Sequence, residues 1–461
     1  MLGKKAGGKK NREFDTPYSL KNALAKGNII TRLSVLIMGL GNIANRQIVK
    51  GLMFLALEVA YIYFMINTGF NCLVNFVKLG GRETEEIWNE SKGVYEYIIG
   101  DKSILFLLYG VAVVFLTILF IVVWKTSVSS AYKAQCLRAE GKKPATIIED
   151  IKNLFDKNLH GFLLFLPITG IVLFTILPLV YMICMAFTDY SIVNDRLNIF
   201  NWVGLVNFGK VLNLKNTIGQ EFWPVLGWTL CWAVLATFSN YILGMILAII
   251  INRKNTKVKG LWRFCFMMSA AIPQFVSLLL MRTLFSNNGI VNTMLINAGI
   301  IENFIPFWDS VTWARVLVVV INIWVGVPFT MLQVTGVLQN IPTELYEAAR
   351  VDGAGPVTIF FKITLPYMLF VTSPYLITSF TGNINNFNVI FLLSGGNPAQ
   401  SVGSTSGQTD LLVTWLYKLT ISKNYYNIGA VIGILTFVVL AVVSLITYHR
   451  TSSYKNEEGF Q

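Results

Sequence analysis

The chain has 461 residues, of which 54% are hydrophobic and only 13% are charged, and its net charge is +13. A soluble domain carries about 25% charged residues, so this composition excludes an ordinary soluble protein and indicates a polytopic membrane protein. The basic residues are spread over alternate loops instead of one contiguous face, which argues against a nucleic-acid partner. Five scattered cysteines and two histidines have no spacing typical of a metal site, and no metal is expected.

Eight apolar segments approach or exceed the roughly 20 residues needed to cross the hydrocarbon of a bilayer. They lie near 51–69, 103–124, 161–187, 223–251, 264–284, 313–337, 367–393 and 426–448. We therefore predict an all-α polytopic fold of about eight transmembrane helices, with a six-helix core preceded by two N-terminal helices. The predicted divisions are a basic cytoplasmic segment 1–50, a two-helix extension 51–160, a core 161–450 and a cytoplasmic tail 451–461.

Lysine and arginine mark the cytoplasmic side of the predicted helices. Ten precede the first segment, seven lie in 125–160 and five in 252–263, whereas the loops of the other parity hold four (70–102), three (188–222) and none (285–312). Both termini are therefore predicted to be cytoplasmic.

Two features outside the core allow more than one interpretation. Residues 145–158 form an amphipathic pattern with Ile147, Ile151, Leu154 and Phe155 on one stripe, which fits a helix on the inner membrane surface or a plain packing helix.

Glu58 is a carboxylate deep in an apolar segment, which would suit a proton relay. No lysine, arginine or histidine is expected at the same depth in the membrane as Glu58, so a packing or snorkelling role is favoured.

A short helix is predicted on the cytoplasmic side between the sixth and seventh segments. Pro342-Thr343 is a strong helix start with Thr343 as N-cap, and Gly353 is a natural stop about nine residues later. So short a helix needs a partner to pack against. Composition alone leaves a docking helix and a solvated surface turn equally open.

The spacing of this loop, residues 343–366, decides between the two. Glu347, Ala348 and Ala349, then Gly353, then Ile363, Leu365 and Pro366 match the pattern E-A-A-x3-G-x9-I-x-L-P without a gap. The loop resembles the EAA coupling loop of ABC importer permeases. Resemblance extends over most of 160–450 and is strongest to the first permease subunit of maltose and maltodextrin importers, although the 188–222 loop is too short for the large extracellular insertion of enterobacterial members.

This resemblance implies a permease subunit in a bacterial plasma membrane that imports oligosaccharides, most of all maltose or maltodextrin, by alternating access. It implies no catalytic residue and no bound cofactor in this chain, because a partner ATPase would use ATP and magnesium. The implied partners are a second homologous permease, two copies of that ATPase, an extracellular solute-binding lipoprotein and membrane lipid. The alternatives are a raffinose-type, sucrose-type or glycerol phosphate permease, and an ion-coupled secondary transporter.

Two polar helix faces flank the coupling loop. They consist of Asn322, Val325, Gly326 and Phe329 in the sixth segment and Ser379, Gly382, Asn383 and Asn386 in the seventh, both spaced i, i+3, i+4, i+7. Asparagine amides match sugar hydroxyls, and an aromatic ring can stack on a pyranose. The alternative is that the asparagines join helices, with about 1 kcal/mol or less each. Because the faces coincide with cavity positions of the maltose-type family, they are predicted to bind sugar.

Overall fold

The computed structural model describes residues 18–90, 92–192, 197–253 and 255–450, so the predicted tail 451–461 and the first part of the basic segment lie outside it. The described helices are α1 Leu20–Lys26, α2 Ile29–Leu33, α3 Leu40–Ala44, α4 Ile48–Lys78, α5 Ser103–Ala139, α6 Ile147–Phe155, α7 Leu159–Ala186, α8 Val206–Leu212, α9 Thr217–Asn252, α10 Lys259–Ala271, α11 Gln274–Leu284, α12 Ile290–Asn297, α13 Val311–Leu338, α14 Thr343–Val351, α15 Pro356–Leu393, α16 Leu412–Tyr417 and α17 Tyr426–Arg450. An antiparallel hairpin joins β1 Glu85–Asn89 to β2 Val94–Ile98.

Seven described helices are long and apolar enough to cross a membrane: α4, α5, α7, α9, α13, α15 and α17. They correspond to seven of the eight predicted segments and confirm an all-helical polytopic fold. The fifth segment differs from its prediction, because α10 ends at Ala271 and α11 begins at Gln274. Pro273 lies at the break, where its ring would clash with a continuing helix and its nitrogen has no hydrogen to donate.

The chain divides by its internal contacts into two compact units, one of residues 18–184 with 197–202 and one of 185–192 with 203–450. In the first unit, α1–α3 pack on the end of α5, where Ala23, Val128 and Tyr132 form a small core. By these contacts α7 falls mainly in the first unit, although the sequence suggested that the core begins at residue 161. That boundary stays a prediction. The most apolar window of α7 has no buried residue within the chain.

The hairpin in the 70–102 loop was not anticipated from the composition. Its strands are rich in β-branched and aromatic residues, and Gly93 takes a positive φ of 64° in the turn. Trp88 and Tyr95 are directly opposite in the register, and their rings pack edge to face at 4.9 Å. Such cross-strand pairs stabilise a short two-stranded sheet.

The predicted amphipathic helix is present as α6. Thr146 and Glu149 form a reciprocal capping box that fixes its start. Its apolar side chains, including Ile151 at 52% exposure and Phe155 at 55%, are left uncovered in the described chain. A location on the membrane surface therefore stays a prediction.

Candidate functional site

The second unit holds a polar layer between two hydrophobic clusters. One cluster includes Trp228, Trp232 and Ile321, and the other includes Tyr241, Met245 and Met331. Helices α9, α13 and α15 contribute to both clusters. The polar and small residues between the two sets on these helices include Thr237, Asn240, Asn322, Gly326, Thr330, Thr372, Ser379 and Asn383. The predicted sugar faces therefore lie largely within this layer.

Two amides of this layer lack partners among the described residues. The side-chain nitrogen of Asn322, which is 5% exposed, and the side-chain oxygen of Asn240 are buried without a hydrogen bond. Gly326 brings its helix against Asn240, since a Cβ there would lie 2.4 Å from the Asn240 amide nitrogen. A buried polar group without a partner is costly and calls for an explanation. The Asn240 oxygen lacks a donor and the Asn322 nitrogen lacks an acceptor, and a hydroxyl can act as either.

The predicted residues of α15 have partners within the chain. The Asn383 side-chain amide donates to Thr237 Oγ1 at 3.0 Å, and the main-chain carbonyl of Asn383 accepts from the Trp232 indole at 3.1 Å. Asn386 caps the last part of α15 by accepting from the Val389 N–H at 3.3 Å. The bond to Thr237 joins α15 to α9 through the asparagine side chain, so the packing alternative has direct support at Asn383.

Other members of the seventh-segment face are more open. Ser379 is half-buried, while Gly382 is exposed with no atom within 4 Å of the place where a Cβ would lie. A side chain larger than hydrogen therefore has room at Gly382. The spacing of this face is as predicted, and its role in binding stays a prediction.

A cavity of about 420 Å³ opens where the fifth segment breaks. Its walls consist of Ala271, Ile272, Pro273, Gln274, Ser277, Trp324, Val325, Gly326 and Phe329. Three of the four predicted sixth-segment residues thus line one cavity, and Asn322 lies one turn away in the interior. Gln274, Ser277 and Trp324 were missed from the sequence, although Pro273 in an apolar segment was a signal of the break.

The predicted coupling helix is present as α14, with nine residues. Thr343 is its first residue and not its N-cap, because Pro342 occupies that position and no side chain caps the end. Gly353 has a φ of 76°, a left-handed conformation that confirms the predicted stop. Glu347 and Ala348 are exposed and Ala349 is half-buried.

Helix α14 is attached to the bundle by its other side. The Tyr346 hydroxyl is 3.2 Å from Thr364 Oγ1, and Tyr346 packs with Ile341 in the second hydrophobic cluster. Ile363 lies in a wide helical turn that leads into Leu365 and Pro366 at the start of the long part of α15. A cavity of about 1100 Å³ beside this attachment is lined by Arg253, Tyr346, Arg350 and neighbouring residues.

At the opposite end of α15, buried acidic groups hold residues 394–411, here called the outer loop. Glu221 of α9, 4% exposed, accepts from the Thr405 and Ser406 N–H groups at 2.8–3.1 Å and from Thr405 Oγ1 at 2.6 Å. Asp410 is fully buried and 2.6 Å from Lys418 Nζ. Burial raises the pKa of Asp410, and the Lys418 ammonium opposes this shift. The sequence offered no signal for either contact.

Residues 240–452 match the family model of the binding-protein-dependent transport system inner membrane component. The chain is 32% identical over 436 residues to the maltodextrin transport system permease protein MdxF of Bacillus subtilis (strain 168), covering 92% of this chain and 95% of that protein. This chain is a permease subunit of the carbohydrate ABC importer family. The permease is accordingly a multi-pass inner membrane protein and a non-catalytic subunit of an oligosaccharide importer.

The permease is also similar to a permease for a different sugar and to a solved transporter structure. The permease is 31% identical over 434 residues to the galactooligosaccharides transport system permease protein GanP of Bacillus subtilis (strain 168), covering 93% of this chain and 99% of that protein. Its fold resembles a chain from the crystal structure of a bacterial alginate ABC transporter in complex with an alginate pentasaccharide-bound periplasmic protein. That likeness has a TM-score of 0.55 and 22% identity, and it covers 67% of this chain and 98% of that one.

Proposed function

We propose that this permease imports neutral maltose-type oligosaccharides, with maltodextrins as the substrate class. The observation that carries the proposal is the uncharged, amide-rich layer between the two hydrophobic clusters, with buried Asn240 and Asn322 groups that lack partners. Uncharged amides suit sugar hydroxyls and offer nothing to balance an anionic substrate. The similarity to a maltodextrin permease agrees with this chemistry.

Galactooligosaccharides are the second candidate, because the identity to a galactooligosaccharide permease is nearly as high. Uptake by a strain lacking this permease, with and without the restored gene, separates the two. We expect restored uptake of labelled maltose and maltotriose and no restored uptake of galactosyl oligosaccharides. Uptake of only the galactosyl sugars would contradict the maltodextrin assignment while leaving the importer class intact.

The cavity and both polar faces are proposed to form the sugar pathway. In this proposal Asn322, Val325, Gly326 and Phe329 bind the sugar together with Ser379, Gly382, Asn383 and Asn386. The Phe329 side chain is 50% exposed, which leaves its ring available for stacking. Sugar would replace the bond from Asn383 to Thr237 when it enters.

Replacement of Asn383 by alanine should lower transport per assembled complex several-fold to about tenfold, since one or two hydrogen bonds of roughly 1 kcal/mol each are lost. Replacement of Thr237 by valine is the matched control, because it removes the internal partner of Asn383 and keeps the amide. Sugar uptake and the amount of purified complex are measured for both. If the two variants lose assembly equally and transport per complex is unchanged, Asn383 joins helices only.

The same proposal extends to partners and sidedness. Glu347, Ala348, Ala349 and Gly353 dock with a partner ATPase that uses ATP and magnesium. Ile363, Leu365 and Pro366 transmit the movement to the rest of α15. Since α14 and the outer loop lie at opposite ends of α15, a cytoplasmic α14 goes with an extracellular outer loop. We propose that both termini are cytoplasmic. A second permease, a second ATPase copy and a solute-binding lipoprotein complete the importer, and the uncovered α7 suits a partner helix or lipid.

A further inference from the structure

The segment before the first transmembrane helix is built onto the membrane-spanning helices of the first unit. Helix α5 has no charged residue from 104 to 123, and it reaches Trp124 and Lys125 after about 33 Å, close to the thickness of the hydrocarbon. Tryptophan and lysine are typical of the interface where a helix leaves the hydrocarbon. The rest of α5 continues for about 20 Å beyond this level, and α1 and α2 pack along it.

The turn between α2 and α3, residues 34–39, lies at the level of this interface. The Trp124 indole donates to the Val35 carbonyl at 2.9 Å. Gly39, with a φ of 82°, touches α4 so closely that a Cβ would lie 2.1 Å from the Gly51 carbonyl oxygen. Only glycine combines this conformation with this approach. The turn is therefore held against α4 and α5.

Glu58 completes the attachment of the turn. Its carboxylate accepts a hydrogen bond from the Met38 N–H at 2.7 Å, and both residues are buried. Glu58 is one turn from Tyr61, whose hydroxyl is bonded to Thr117 Oγ1, and a glutamate side chain on a helix leans toward the N-terminus. The carboxylate therefore lies near the Trp124 level, where it holds the turn through the Met38 N–H.

The outward face of this turn, together with Leu33 at the end of α2, is apolar and exposed. Leu36 is 74% exposed, Ile37 47% and Leu33 43%. On α4, beside Gly51, Leu52 and Met53 are also about half exposed and continue this surface onto the lipid-facing side of a transmembrane helix. One apolar surface thus runs from a membrane-spanning helix onto the turn without a charged side chain between Leu33 and Met38.

We propose that residues 33–38 are embedded in the adjoining membrane leaflet and that acyl chains cover Leu33, Leu36 and Ile37. Burial of a leucine or isoleucine side chain in an apolar environment is favourable. Leu33 at the end of α2, with Leu36 and Ile37 on the turn held by Glu58, Trp124 and Gly51, forms a lipid anchor beside the first transmembrane helix. This anchor depends neither on the sugar nor on the sidedness of the importer.

Fluorescence quenching tests the anchor in the assembled importer reconstituted into phosphatidylcholine liposomes, with the five native cysteines replaced. A bimane label is placed on Leu36→Cys and on two exposed positions, Ile29→Cys and Lys26→Cys. The latter two flank Asn28, whose N–H is bonded to Gln135 about three helical turns beyond Trp124 on α5. Nitroxide groups on the acyl chains should quench the label at position 36 several-fold more than at positions 29 and 26. Aqueous iodide should show the reverse order.

Two outcomes overturn the proposal. Quenching at position 36 by iodide and not by the lipid nitroxide would place the turn in water. Protection from both quenchers would show that protein covers the turn. A Glu58→Leu variant removes the acceptor of the Met38 N–H, so it should reduce lipid quenching at position 36 and leave position 26 unchanged; an unchanged signal at 36 would remove Glu58 from the anchor.

Discussion

Replacement of Gly353 by valine should reduce ATP-driven sugar uptake by about 5- to 150-fold. Gly353 ends α14 with a φ of 76°, which a β-branched residue adopts only with strain. Strain of about 1–3 kcal/mol at such a position corresponds to that range of equilibrium constants. The helix end would unwind or reorient, and the exposed Glu347 and Ala348 would no longer meet the ATPase in the required geometry.

Gly355 provides the matched control for this prediction. It lies two residues away, its φ of −73° and ψ of 164° are open to any residue, and a Cβ there meets no atom within 4 Å. Gly355→Val should therefore keep near-normal uptake and ATPase co-purification. Equal behaviour of the two variants, with the ATPase fully bound in both, would show that the conformation at Gly353 does not serve docking.

Replacement of Asp410 by alanine should destabilise the outer loop by about 3–5 kcal/mol, the cost of breaking a buried ion pair. Asp410 is fully buried, while the Lys418 side chain keeps 23% exposure, so we expect the lower part of this range. The carboxylate also accepts from the Gly407 N–H at 2.7 Å and from Thr414 Oγ1 at 2.9 Å. The Gly407 N–H would lose its acceptor, whereas the Thr414 hydroxyl can still donate to the Leu411 carbonyl. Thermal unfolding of the purified complex in detergent measures the effect as a lower Tm.

A second variant shows whether the charge or the packing matters at this position. Asp410→Ala combined with Lys418→Met removes both charges, and removal of a complete buried pair is far less costly than removal of one partner. The double variant should regain part of the lost Tm. If Asp410→Ala alone unfolds at the wild-type temperature, the ion pair does not stabilise the loop.

Much of this permease was determined by short stretches of its sequence. Seven of the eight long apolar segments are transmembrane helices as predicted, because a segment in lipid must satisfy its backbone hydrogen bonds within itself. The coupling helix followed in the same way from Pro342, Gly353 and the residues between them, since helix ends depend on local conformation. Both signals lie within a few residues of the structure that they specify.

The tertiary structure alone decided the features that join distant parts of the chain. Glu221 meets Thr405 across 184 residues, Asn383 meets Thr237 across 146, and Glu58 meets the Met38 N–H in a segment whose pattern suggested only a basic tail. The break at Pro273 was visible in the sequence, but the cavity that it opens toward Phe329 was not. A periodic pattern shows which residues share a helix face, whereas the helix that covers this face is selected by packing among all the segments together.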